Sequence, residues 1–217
     1  MNVQTAEPST DQTTEPSTAA MPPAHIRRLV LTGFMGAGKT TVGRMLADRL
    51  GWDFLDLDAC IEERAGLSVP SIFATHGEAH FRKLESQALA AALGRTRIVL
   101  ALGGGAPEVL TNRLLLEQTP ATATVFLDAP FATLFDRCMI QALNPTSDST
   151  PTQPAQPHPG QARPLLADPA IAEARFLARQ PIYRRLARIT IDTASLSTEE
   201  TVKALLARLN MPRTRRR

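Results

Sequence analysis

The chain has 217 residues, 43% of them hydrophobic, and a formal net charge of +3, enough apolar material for one domain of ordinary size. Its pI near 9.3 does not point to a nucleic-acid binder: residues 1–25 carry Glu7, Asp11 and Glu15 without a Lys or Arg, residues 213–217 carry four arginines, and the body between is close to neutral. No apolar run is long enough to span a bilayer, the start lacks a basic-then-apolar secretory signal, and Cys60 and Cys138 match no metal spacing, so a cytoplasmic protein with two reduced thiols is expected, with no membrane and no nucleic-acid partner.

Residues 1–24 are rich in Thr, Pro, Ser, Glu and Gln and contain the similar pieces AEPSTD and TEPSTA. They offer too little apolar surface to offset the entropy of ordering, and a disordered tail is expected. A first strand follows at 28–31. It runs into GFMGAGKTT at 33–41, which matches G-x-x-x-x-G-K-[ST] and opens a helix expected over 39–49. Glycines there permit a path that turns backbone N–H groups inward, and the helix adds its positive end to an anion site. Lys39, one of only three lysines in the chain, would reach the outer phosphates, and the Thr40 hydroxyl would ligate Mg²⁺.

A second strand is expected at 53–57, a helix at 59–65. Asp56 and Asp58 are read as sharing one face of the strand tip, where one would face Mg²⁺ through water and the other take a proton from an acceptor hydroxyl. Equally open is that Asp58 caps the helix and Asp56 is solvated. Helices follow at 69–75 and 78–94. Arg82 flanks the apolar stripe of the second; its guanidinium either pairs with Glu78 or Glu85 or forms a fork for a substrate carboxylate. After a third strand at 98–102, Gly103, Gly104 and Gly105 let backbone come close to a ligand or form a flexible turn.

The remaining elements are a helix at 107–117, a strand at 124–127, a helix at 131–141, a helix at 170–178, a strand at 188–191 and a helix at 198–209. Between them, NPTSDSTPTQPAQPHPG at 144–160 holds five prolines, which exclude a regular helix or interior strand. A lid loop is favoured over a linker, because the flanks are too short for a second core. Arg179, just before Pro181, would suit a basic helix end. The alternation of short apolar strands with helices implies an α/β protein with a parallel sheet covered on both faces.

Taken in order, GFMGAGKTT, FLDLDACIE, SIFATHGEAHFRKLE, LGGGA, RPLL at 163–166 and RQPIY at 179–183 resemble the shikimate kinases, small P-loop proteins of the nucleoside-monophosphate-kinase-like group. The resemblance covers about residues 26–210. It implies a three-layer P-loop kinase fold: a five-stranded parallel sheet, helices on both faces and a mobile lid. The organisation would be a tail at 1–24, a kinase domain at 25–211 with a lid and insertion at about 138–168, and a basic tail at 212–217.

It also implies roles. Gly36, Ala37, Gly38, Lys39, Thr40 and Thr41 would wrap the ATP phosphates, with Thr40 on Mg²⁺ and Asp56 supporting the metal through water. Asp58 would bind the shikimate hydroxyls and serve as base or orient the attacking oxygen. Arg82, oriented by Glu85, and Arg179 would hold the carboxylate, and Gly103, Gly104 and Gly105 would present backbone to it. Arg163 would sit in the lid and meet the transferring phosphoryl, and Arg137 would stack on adenine. The implied activity is transfer of the ATP γ-phosphoryl group to the 3-hydroxyl of shikimate, in chorismate and aromatic amino-acid biosynthesis, by a monomer. Gluconate-type kinases share only the phosphate cradle, and a nucleotide-binding regulator without transfer would not need Asp58 with both arginines. The family's lid is short, whereas the run from 141 to 162 here is lengthened.

Overall fold

The computed structural model describes residues 21–143 and 168–211. The expectations for residues 1–20 and 212–217, for the Pro-rich run and for Arg163 lie outside the described residues; the end of the expected first tail, 21–24, is instead placed, with Pro22 buried and the Pro23 carbonyl accepting from the Ile26 N–H at 2.8 Å.

Five strands form one all-parallel sheet: β1 (Arg28–Thr32), β2 (Asp53–Asp56), β3 (Ile98–Ala101), β4 (Thr122–Asp128) and β5 (Ile189–Asp192), in the order β2-β3-β1-β4-β5. β1 lies at the centre, with Leu29, Val30, Leu31 and Thr32 fully buried. Burial on both faces is why the strands read as unbroken apolar runs. Side chains alternate between two cores. Leu29, Leu31 and Val99 join α1 (Lys39–Leu50) and α7 (Thr198–Asn210) on one face. Val30, Ile98 and Leu100 join α2 (Leu57–Ala65), α3 (Val69–Leu93) and α4 (Leu110–Gln118) on the other.

Several expectations are corrected. The second strand stops at Asp56, and Leu57 begins α2. Asp56, not Asp58, is the N-cap of that helix: its Oδ1 accepts from the Asp58 N–H at 3.1 Å and the Ala59 N–H at 3.5 Å. The two aspartates therefore do not share a strand face. The helix expected from 107 is a 3₁₀ turn, Ala106–Glu108, followed by α4. Val109 is extended and separates the two.

The largest departure is α6 (Pro169–Leu186), which runs straight through Pro181. An interior proline costs about 3 kcal/mol, and here tertiary burial offsets it: Phe176, Arg179, Tyr183 and Leu186 all face inward. Arg179 is thus in mid-helix, not at a solvated helix end. The helix α3 bends at Gly77, whose φ is 77°, between the two segments expected from sequence. The helix before the Pro-rich run, α5 (Phe131–Leu143), carries Cys138 into the core.

Candidate active site

The site lies at the carboxyl ends of the strands, where an open parallel sheet offers a crevice. On one side is the loop between β1 and α1. Gly36 has φ 74°, and a Cβ there would collide with the Leu134 carbonyl oxygen and lie 3.0 Å from Cys138 Sγ. Only glycine fits, because α5 backs directly onto the loop. Gly38 caps α1 in the left-handed region without a side-chain hydrogen bond, so the helix end is left to an outside acceptor. Lys39 Nζ donates to the Gly33 and Phe34 carbonyls, both at 3.0 Å. Gly36, Gly38, Lys39, Thr40 and Thr41, with Met35 and Gln141, line a cavity of about 140 Å³. Ala37 packs its methyl group into the core and can offer only backbone.

Thr40 Oγ1 donates to Asp56 Oδ2 at 2.9 Å, while the other Asp56 oxygen caps α2. This single carboxylate ties the end of β2 to the start of α1. Among the described residues no three His, Cys, Asp or Glu side chains converge as a metal cage. Thr40 and Asp56 together offer the sparse oxygen set typical of Mg²⁺, which keeps waters and takes its other ligands from phosphate; the donor set fits that ion.

Farther along α5, Arg137 donates to the Thr193 carbonyl at 2.6 Å, to Thr193 Oγ1 at 3.3 Å and to the Ala194 carbonyl at 3.3 Å. The loop after β5 is therefore gripped by Arg137, the arginine that the resemblance would stack on adenine. Asp128, at the end of β4, accepts from Gln180 at 3.1 Å and Arg184 at 2.8 Å, anchoring α6 to the sheet.

The acceptor side is assembled on the triple glycine after β3. A Cβ at Gly103 would lie 2.7 Å from Asp58 Oδ1, and one at Gly105 would lie 2.5 and 2.6 Å from Arg82 Nη2 and Nη1. Beside Gly104, Arg179 Nη1 and the Tyr183 hydroxyl would each lie 3.6 Å from a Cβ. Each glycine thus abuts one of the side chains expected to hold the acceptor, and at Gly103 and Gly105 it is the missing Cβ that admits Asp58 and Arg82. Arg82 Nη1 donates to Glu85 Oε2 at 2.9 Å, and Nη2 to Glu78 Oε1 at 3.1 Å. Glu85 is 1% exposed, and burial raises its pKa even though Arg82 pulls the other way. Both pairings expected for Arg82 are present, and its guanidinium still faces Gly105.

Sequence reasoning missed two contributors. Glu108 Oε2 accepts from Arg179 Nη2 at 2.7 Å across 71 residues. Tyr183, seen only as part of RQPIY, donates to the Gly104 carbonyl at 2.5 Å. Burial pushes its hydroxyl pKa well up, so it stays a donor. No local spacing links these residues; the only signal was their position just beyond the triple glycine and just beyond Arg179.

Residues 35–210 match the family model described as shikimate kinase. The chain is 37% identical over 182 residues to the shikimate kinase of Geobacter metallireducens, covering 83% of this chain and 90% of that one. Among solved structures it is similar to the shikimate kinase of Acinetobacter baumannii in complex with shikimate, with a TM-score of 0.71, 33% identity, and 85% and 93% of the two chains covered. A gluconokinase from Sinorhizobium meliloti aligns with a TM-score of 0.52 at 19% identity, over 85% of this chain and 92% of that one; that likeness extends to the fold alone.

Proposed function

The chain belongs to the shikimate kinase family, and from that premise we propose that it transfers the γ-phosphoryl group of ATP to the 3-hydroxyl of shikimate, on the route to chorismate and the aromatic amino acids. The observation that carries this reading is the convergence of Asp58, Arg82 and Arg179 on the three consecutive glycines. A hydroxylated carboxylate needs an acceptor for its hydroxyl protons and forked donors for its acid group, and this turn presents both within one crevice.

The residues divide the work. The loop amides and the α1 N-terminus hold the phosphates, and Lys39 shifts from the Gly33 and Phe34 carbonyls to the outer phosphate oxygens. Thr40 and Asp56 hold Mg²⁺, which supplies charge neutralisation across the transferring phosphates. Asp58 accepts a hydrogen bond from the attacking hydroxyl and aligns or deprotonates it. Arg82 and Arg179 fix the carboxylate, which sets the ring and hence which hydroxyl faces the phosphorus. Arg137 flanks the base beside Thr193, and Arg163, which lies outside the described residues, serves the transferring group. No helix among the described residues is long and apolar enough to cross a membrane; the protein acts as a cytoplasmic monomer.

The test is ADP release by the purified chain with ATP and Mg²⁺. It should rise on addition of shikimate and not of gluconate. A rise with another hydroxy acid and none with shikimate would remove this assignment.

A further inference from the structure

We propose that Glu108 is a positioning residue for the acceptor, holding Arg179 in the orientation that its role as a carboxylate clamp requires. The proposal rests on the assignment of Arg179 to the shikimate carboxylate. Arg179 is 8% exposed, and its Nε is buried with no acceptor among the described residues. A desolvated guanidinium needs a charge partner, and without one it turns toward water or toward other acceptors. Glu108 supplies that partner at 2.7 Å. It occupies Nη2, which leaves Nη1 beside Gly104 and the Tyr183 hydroxyl, so the pairing turns that edge of the fork toward the crevice.

The backbone carrying Glu108 is itself pinned. Arg113 Nη1, on α4, donates to the Pro107 carbonyl at 2.8 Å and to the Glu108 carbonyl at 2.9 Å, and buried Asn112 donates to the Ala106 carbonyl at 2.9 Å. A group on so fixed a turn can set the rotamer of another, as a support shell must. The arrangement repeats, from a different element, what Glu85 does for Arg82 at 2.9 Å. Each acceptor arginine is then held by glutamate: Arg82 by Glu85 and Glu78 on its own helix, Arg179 by Glu108 on the turn after the glycines.

Steady-state kinetics on the full chain test this with Glu108→Ala, the isosteric Glu108→Gln, Arg179→Ala and the Glu108→Ala/Arg179→Ala double variant. Glu108→Ala should raise the shikimate KM about tenfold, the scale of one charge-assisted contact, with the ATP KM within about twofold. Glu108→Gln should fall between it and wild type. In the Arg179→Ala background the Glu108→Ala change should add less than about twofold, because its effect passes through Arg179. An unchanged shikimate KM in Glu108→Ala, a parallel rise in the ATP KM, or an undiminished effect without Arg179 would each overturn the proposal. Should Glu108→Ala fail to fold, Glu108→Gln alone decides, with a rise confined to shikimate supporting the role and none overturning it. Wild-type protein without shikimate-dependent turnover would instead remove the functional reading on which this rests, whereas turnover with an unchanged KM sinks the positioning role alone.

Discussion

The two halves of the crevice are built by different rules. The phosphate side is one continuous stretch, Gly33 to Thr41, and acts mainly through backbone and the end of α1. The acceptor side is gathered from α2, α3, the turn after β3 and α6, and acts through side chains. Phosphate needs many weak donors in a tight curve, which a short glycine-rich loop supplies alone. A small polyhydroxy acid needs a few charged groups at set angles, and no single segment can present them. The first half is therefore common to many chemistries, and the second is where the reaction is chosen.

The sharpest way to separate the halves is Asp58→Asn. It should lower kcat by roughly 10²–10³, the scale of a lost general base, while fluorescent-nucleotide titration shows ATP affinity within about threefold. An equal loss of nucleotide affinity would mean the halves are not separable at Asp58. Next, Arg82→Ala should raise the shikimate KM far more than the ATP KM, by roughly tenfold or more. Gly105→Ala should act in the same direction by pushing the Arg82 fork off its seat, with the Tm little changed because Gly105 has an ordinary φ of −89°.

Asp56→Asn breaks the seam between the halves. The Mg²⁺ concentration for half-maximal rate should rise several-fold, with little change in denaturant unfolding, because Asn caps a helix about as well as Asp. A variant with unchanged Mg²⁺ dependence would leave Asp56 as a cap only. The smallest effect belongs to Glu85. Its pKa is raised in the fold, so its protonated form is favoured there; the associated stability is present below the ordinary carboxylate pKa near 4.5 and is lost as pH rises through the higher folded value. The Tm of wild type relative to Glu85→Gln should therefore decline as pH rises from about 4 upward. A difference independent of pH would show that Glu85 does not titrate in that window.

The same contrast explains what sequence could reveal. The phosphate loop was legible because its whole signal sits within nine residues, and the five strands because runs such as RLVL are buried on both faces. The positions of Asp58, Arg82 and Arg179 were legible only as an ordered set of motifs, since each alone has an ordinary structural explanation. The Arg179–Glu108 pair was not legible: its members stand 71 residues apart and neither is unusual locally. The continuation of α6 through Pro181 was hidden by a valid local rule that burial of Tyr183 and Leu186 overrides. The swap of Asp56 for Asp58 as cap turned on one residue of strand length, a boundary that propensity does not resolve.

The triple glycine also bears on how this crevice could come to accept a different molecule. Gly103 sits against Asp58, Gly104 beside Arg179 and Gly105 against Arg82, with no room for a methyl group at the first and third. Enlarging Gly103 or Gly105 alone drives a charged side chain away from its place, and shortening that side chain alone leaves a gap with its glutamate or hydroxyl partner unmatched. The residue at each of these two turn positions is therefore coupled to the side chain facing it, Asp58 from α2 or Arg82 from α3. A change of acceptor at this turn thus involves two elements at once, whereas the phosphate loop is a single stretch that carries no such coupling to the acceptor.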